Sequence, residues 1–328
     1  MERILIIRYS ALGDVVLATS LLAPLRDRFP RAQIEWVTSA ACAPLVEGLP
    51  GISAVHRLGR GPEDGALALA RRLRGRFDVA VDLQGKLKSA LIARAAAPRR
   101  VTFARRTAAE ALRALLGHDR PLVRAHATAL YAEALRPLGV AAPGRTIVEP
   151  SGEARRRAGA LLGGLPRPLV ALAPGATWAT KRWDPRRLAE VGDALHGDGC
   201  ALVLCAGPGD AAASATLRAA LRAPLAADLT PLDVGGLAAA LGEVSLLVTN
   251  DTGPAHLAGA VGTPALVVFG PTSPIRWGPA PPGRAISLGL DCQPCSNHGG
   301  ERCPLGHHRC LADLPAATVL AAARELLR

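Results

Sequence analysis

Short apolar runs alternate with amphipathic stretches along the whole chain. In the first half, runs at 3–8 (RILIIR), 34–38 (IEWVT), 52–58 (ISAVHRL), 77–83 (FDVAVDL) and 100–103 have the length of strands. Between them, stretches at about 14–29, 64–75, 86–96, 106–117 and 125–138 repeat their apolar positions at helical spacing. The segment 137–152 (PLGVAAPGRTIVEPSG) interrupts this pattern and reads as a connection between domains. The alternation then restarts, with strands predicted at 168–173, 201–206, 245–249 and 264–269. Helices are predicted at 185–197, 209–222, 233–242, 254–261 and 315–327. Strands alternating with helices predict the α/β class, with parallel sheets and crossover helices. Two Rossmann-like domains follow, over 1–150 and 151–328. Ligands of such sheets sit beyond the carboxyl ends of the strands, so two of them facing each other would enclose a cleft.

Composition narrows the class. With 328 residues, 49% hydrophobic and 20% charged, the chain is too apolar for a solvated coil. No uninterrupted apolar run approaches the roughly 20 residues of a membrane span. Glu2 and Arg3 precede the first apolar run, which therefore reads as a strand and not as a signal peptide, and a cytoplasmic location is expected. The net charge of +12 is unevenly placed. Residues 1–160 hold 26 Lys and Arg against 14 Asp and Glu, and the remainder holds 13 of each. A basic first half suits an anionic partner, whether nucleic acid, a phosphorylated substrate or a membrane face, although an Arg-rich, Ala-rich composition accounts for the charge equally well. Nucleic acid is the weakest of these, with only ten aromatic residues and no stacking motif. Against 36 arginines stand three lysines, Lys86, Lys88 and Lys181, as if each marks a site that wants a compact ammonium.

Three segments carry candidate chemistry. The first strand runs into Arg8-Tyr9-Ser10-Ala11-Leu12-Gly13-Asp14. A single glycine there disfavours the dinucleotide fingerprint, and with it a nicotinamide or flavin enzyme. Asp14 is either a general base or the N-cap of the following helix. The loop after strand 168–173 reads Pro174-Gly175-Ala176-Thr177-Trp178-Ala179-Thr180-Lys181, and Thr177 with Lys181 suits phosphate. After strand 245–249 comes Asn250-Asp251-Thr252-Gly253-Pro254-Ala255-His256. Pro254 fits a first helical turn capped by Thr252 or Gly253, which presents backbone N–H groups to an anion. Asp251 could accept from sugar hydroxyls, and His256 lies one turn further along. No Asp-x-Asp pair, G-x-S-x-G elbow or H-E-x-x-H pair occurs, so neither a magnesium-gripping carboxylate pair nor a hydrolase is indicated.

These segments, IIRYSALGDVVLATSLL, DLQGKLKSAL, APGATWATKRW and VTNDTGPAHLAGAVGTPALVVFGPTSP, run in order over nearly the whole chain and resemble glycosyltransferase family 9, the ADP-heptose–lipopolysaccharide heptosyltransferases. The resemblance implies a GT-B fold, with the acceptor on the first domain and ADP-heptose on the second. It implies inverting transfer without an obligatory metal cofactor. Asp14 would then deprotonate the acceptor hydroxyl. Thr177 and Lys181 would contact the donor phosphates, and Asp251, Thr252, Gly253 and His256 would hold the heptose and diphosphate. Lys88 matches a basic acceptor-side position, with Arg57 and Arg60 on a looser match. The partner it implies is an anionic lipopolysaccharide precursor, Kdo₂-lipid A or its heptosylated form, at the inner membrane face. Transfer to a protein hydroxyl, another nucleotide-sugar, and a non-catalytic binding protein on the same scaffold are the alternatives.

Four of the seven cysteines cluster as Cys292, Cys295, Cys303 and Cys310, with His298, His307 and His308 among them. Reduced thiols at this spacing suit a structural zinc or iron site, or else a loop with free thiols. Cys42, Cys200 and Cys205 sit in apolar stretches and read as core.

Overall fold

A computed structural model describes residues 2–103 and 123–328. Among these residues one compact unit takes 2–103 and 125–151, and a second takes 123–124 and 152–328. The helix expected at 106–117 lies outside the described residues.

In the first unit, strands β1 (Arg3–Ile7), β2 (Gln33–Ser39), β3 (Ile52–Leu58), β4 (Val79–Asp82) and β5 (Arg99–Thr102) form an all-parallel sheet in the order β3-β2-β1-β4-β5. Its helices are α1 (Leu12–Ala18), α2 (Leu22–Arg28), α3 (Ala66–Arg72), α4 (Leu87–Ala96) and α5 (Ala127–Ala134). The one long helix expected at 14–29 is instead α1 and α2 with a 3₁₀ turn, Thr19–Leu21, between them. The Thr19 and Ser20 hydroxyls donate to the Val16 and Leu17 carbonyls, each at 2.7 Å, which competes with the regular helical ladder at the break.

The main stretch of the second unit opens with α6 (Gly152–Leu162), just after the connection read at 137–152 and in a stretch for which the sequence pattern predicts no element. Its sheet contains β6 (Leu169–Ala173), β7 (Ala201–Leu204), β8 (Leu225–Asp228), β9 (Leu246–Asn250), β10 (Ala265–Val268) and β11 (Arg284–Ile286), in the order β11-β10-β9-β6-β7-β8. Helices α7 (Pro185–Gly197), α8 (Ala211–Ala220), α9 (Val234–Leu241), α10 (Gly253–Val261), α11 (Pro274–Trp277), α12 (Arg309–Ala312) and α13 (Ala316–Leu326) complete it. The central strands are apolar and buried on both faces. Ile4 to Ile7 and Leu169 to Leu172 are fully shielded, as a sheet covered by helices requires. Each such Leu or Ile contributes about 1.5–3 kcal/mol of transfer free energy.

Counted within each unit, both sheets have the Rossmann order, first strand central and the fourth beside it. Strand order therefore reverses between β1 and β4 in one unit and between β6 and β9 in the other. At those reversals the loops leaving neighbouring strands run to opposite faces and leave a crevice for a ligand. Among the described residues no helix is long and apolar enough to cross a membrane.

Candidate active site

In the first unit the reversal brings the loop after β1 against the loop after β4. Gln84 Oε1 accepts from the Tyr9 and Ser10 amides at 3.1 and 3.3 Å. Asp82 holds the β4 loop in shape by accepting from the Gln84 and Gly85 amides and the Ser89 hydroxyl. Beside them opens a pocket of about 1030 Å³. Lys86, Lys88, Arg94 and Arg100 supply its positive charge against the one carboxylate of Asp82, and Tyr9 and Phe103 supply aromatic wall. Lys88 thus lies where an anionic acceptor could be received. Arg57 and Arg60 do not meet it. β3 is the far edge strand, two strands from β1, and Arg57 is exposed and paired with Glu47 at 2.8 Å.

Asp14 is not an N-cap. Ala11 caps α1, and Asp14 stands three residues further on, its Oδ2 accepting from the Ala11 amide at 3.4 Å. The same oxygen pairs with the Arg8 guanidinium, and Oδ1 accepts from the Tyr131 hydroxyl at 2.7 Å. Burial pushes the Asp14 carboxyl up, but the Arg8 charge and the hydrogen bonds from Tyr131, Arg8 and the Ala11 amide outweigh it. The net result lies below the ordinary Asp value. With its side chain 20% exposed, Asp14 is a charged carboxylate with one open side. Phe103 of the pocket wall packs edge-on against Tyr131, ring centroids 5.0 Å apart, so pocket and carboxylate share a wall.

In the second unit the reversal lies between β6 and β9, and the two polar segments singled out in the sequence are the loops on either side of it. They are joined by Lys181 Nζ to Asp251 Oδ2 at 2.8 Å, and the Thr272 hydroxyl donates to the same oxygen at 2.6 Å. Asn250 is a residue that the sequence reading passed over. Its side-chain amide donates to the carbonyls of Pro174 and Gly175 at 3.0 and 2.9 Å and accepts from the Trp183 amide at 3.0 Å, which locks the β6 loop onto the end of β9. Thr252 is the N-cap of α10, yet its hydroxyl donates to the Asn250 carbonyl and not into the first turn. Pro254 carries no N–H and the Ala255 amide donates to the Thr252 carbonyl at 3.1 Å, so in the first turn it is the Gly253 amide, without a side-chain cap, that is offered to an anion. His256 is buried on α10 with its ring centroid 6.5 Å from that of Trp277. Thr177 is exposed on the β6 loop, whereas Thr180, three residues on, is buried.

Thr180 is tied down by the cysteine-rich segment. Its hydroxyl and amide reach the Gly300 carbonyl at 2.8 and 3.1 Å, and His308 Nε2 lies 2.9 Å from its carbonyl. Gly299, in the left-handed region at φ +89, lets the Lys181 stem approach so closely that an added Cβ would lie 2.8 Å from it. The segment thus braces the side chain that faces the anion site. Burial, with the neighbouring thiols of Cys295, Cys292 and Cys303, pushes Cys310 up to about 11. The four thiols are neighbours, but among the described residues no three His, Cys, Asp or Glu side chains form a set able to hold one ion. Cys42, Cys200 and Cys205 are buried, and burial pushes Cys205 up to about 12.

A model of glycosyltransferase family 9 (heptosyltransferase) matches residues 66–306, most of the chain. The chain belongs to that family. This makes it a glycosyltransferase and assigns the paired Rossmann-like units to the GT-B fold. Lipooligosaccharide heptosyltransferase 2 of Haemophilus influenzae is 27% identical over 99% of both chains. Lipopolysaccharide heptosyltransferase 1 of Pseudomonas aeruginosa is 29% identical over 95% of this chain and 91% of its own. The solved structure of the E. coli ADP-heptose LPS heptosyltransferase II superposes with a TM-score of 0.75 at 24% identity, covering 100% of this chain and 98% of the other. Members named for two different addition steps are thus about equally similar to this glycosyltransferase.

Proposed function

We propose that this family 9 enzyme moves heptose from ADP-heptose to a hydroxyl of an anionic lipopolysaccharide inner-core precursor, with inversion. The observation that carries the reading is the basic pocket at the β1/β4 reversal, one wall of which leads through Tyr131 to the Asp14 carboxylate. Four cations suit the carboxylates and phosphates of Kdo₂-lipid A or its heptosylated form. Asp14 takes the proton of the acceptor hydroxyl as it attacks the anomeric carbon, and the C–O bond to ADP breaks on the opposite face. The carboxylate can be a weak base here, because the hydroxyl becomes strongly acidic once its oxygen bonds to an oxocarbenium-like carbon. In the second unit Lys181 and the Gly253 amide at the start of α10 receive the departing diphosphate, with Thr177 at the loop's open edge. Asp251 and His256 border the heptose. No metal is required by this chemistry. A basic acceptor unit draws the enzyme to the anionic cytoplasmic face of the inner membrane.

The test is mass spectrometry of products formed from ADP-heptose with Kdo₂-lipid A and with its heptosylated form. The expected result is one heptose mass added to one acceptor and not the other, which also fixes the step. Failure with both acceptors, while ADP-heptose still binds, would overturn the lipid reading and turn attention to protein hydroxyls.

Zinc or iron at Cys292, Cys295, Cys303 and Cys310 is a separate proposal, resting on the spacing of the thiols along the sequence. Binding would have to draw the sulfurs together and displace their protons, which the raised Cys310 makes costly at neutral pH. Elemental analysis of enzyme purified without chelator or affinity nickel is expected to find about one ion per chain. None would retire the metal and leave the segment as a brace for Thr180 and Lys181.

A further inference from the structure

We infer that Tyr131 and Arg8 are positioning residues that hold the Asp14 carboxylate by its two oxygens and leave one acceptor site of Oδ1 for the incoming hydroxyl. The inference rests on the proposed role of Asp14 as base.

Three donors converge on this carboxylate. Arg8 and the Ala11 amide share Oδ2, and the Tyr131 hydroxyl takes Oδ1. A carboxylate offers about four acceptor positions, so the occupied three leave one, on Oδ1. Neither holder is loose. Arg8 is 3% exposed, donates through Nη1 to the Leu83 carbonyl, and stacks its guanidinium 5.5 Å from the Tyr131 ring centroid. Tyr131 is 1% exposed, and Phe103 closes its other side. Each holder is therefore fixed by packing that does not involve Asp14. Such independent support is what restricts a short side chain to one productive rotamer.

α1 packs against α5 and the 3₁₀ turn Ala40–Leu45. Among the described residues, the charged and titratable groups acting on Asp14 are Arg8 and Tyr131, with the Ala11 amide as the uncharged third. Both favour the ionised form. The carboxyl that accepts the acceptor's proton is consequently a stronger acid than an ordinary Asp and returns that proton to solvent. The same arrangement fixes the direction of a pH effect. Removing the Tyr131 hydroxyl takes away one donor that holds Asp14 low, so its protonation moves to higher pH.

The experiment is the pH dependence of kcat in Tyr131→Phe, beside wild type and Asp14→Asn. Phenylalanine keeps the ring against Arg8 and Phe103. Expected for Tyr131→Phe are a kcat lowered about 10- to 100-fold, an acid limb moved to higher pH, and unchanged KM for the donor. Arg8→Lys, which keeps a cation but loses the fork, should show the same signature. An unmoved acid limb and unchanged kcat in Tyr131→Phe, with Asp14→Asn inactive, would overturn the positioning role and leave the base in place. Substantial turnover by Asp14→Asn would instead overturn the base reading itself. Should Arg8→Lys fail to fold, the Tyr131→Phe profile decides alone.

Discussion

Replacing Asp14 by Asn is expected to lower transfer by about 10³-fold or more while ADP still binds. The size follows from what the carboxylate does. General-base assistance is worth about 10²–10⁴-fold, and the amide of Asn cannot take a proton. Orientation adds to the loss. Both oxygens of Asp14 face donors, so the Asn amide can satisfy Arg8 with its oxygen only by turning its NH₂ toward Tyr131. The Tyr131 hydroxyl must then reverse and accept. Arg8 loses its counter-charge, but keeps the Leu83 carbonyl and the Tyr131 ring. A modest fall in Tm, from the loss of a largely buried ion pair, is therefore expected without unfolding. ADP binding persists because Lys181 and the start of α10 belong to the second unit. Steady-state transfer, ADP titration calorimetry and a thermal melt check the three parts. Loss of ADP binding along with transfer would move Asp14 from chemistry to structure.

The pH sign for wild type follows from the same contacts. Asp14 has its carboxyl below the ordinary Asp value in the fold, so the unfolded chain binds that proton more readily. The stability contributed by the pair is complete above the ordinary value and is lost as pH falls through the lowered one. Ionisation of the base is therefore constant through the neutral range. Any limb in the activity profile near neutrality belongs to another group.

Local periodicity made most of the architecture legible, and where it failed the reasons are physical. The central strands are apolar on both faces and bounded by polar turns, so they declare themselves. β8 and β11 do not, because LAAD and RAI are short, partly exposed edge strands with one large apolar side chain each. Helix α6 was hidden by GEARRRAGALL, whose only deep contacts are made by Ala154, Ala158 and Leu162. Of the site, the parts written in contiguous motifs could be read: Asp14, Lys88, Lys181 and the Asp251–His256 turn. Tyr131 could not, being 117 positions from the carboxylate it holds. Asn250 had a signal that went unused, as a polar residue ending a fully apolar strand next to Asp251. Arg57 and Arg60 were singled out by a loose match to the acceptor side of the family pattern, close to the end of β3. Strand order then put that end at the sheet edge, away from the reversal, and order across a sheet is not written in local sequence.

Lys181→Ala should weaken ADP binding about 10- to 100-fold and destabilise the second unit at the same time, and the two effects can be separated. The ammonium has three protons, of which Asp251 takes one at 2.8 Å, leaving two for the diphosphate proposed at the start of α10. A charge-assisted hydrogen bond of that kind is worth about 1.5–3 kcal/mol, which sets the affinity loss. The stability loss has a different origin. Side-chain exposure is 14% for Lys181 and 5% for Asp251, so truncation leaves a buried carboxylate with the Thr272 hydroxyl and no counter-charge, costing about 3 kcal/mol. Removing Asp251 as well abolishes that unpaired charge. The double variant Lys181→Ala, Asp251→Ala is thus expected to melt above Lys181→Ala alone, while ADP binding stays as weak or weaker. Lys181→Arg should rescue only in part, because a planar fork replaces the compact ammonium that pairs with Asp251. Calorimetry and melts on wild type, Lys181→Ala, Asp251→Ala and the double variant complete the cycle. Unchanged ADP affinity in Lys181→Ala would remove Lys181 from the diphosphate site and leave its pair with Asp251 as a purely structural link across the β6/β9 reversal.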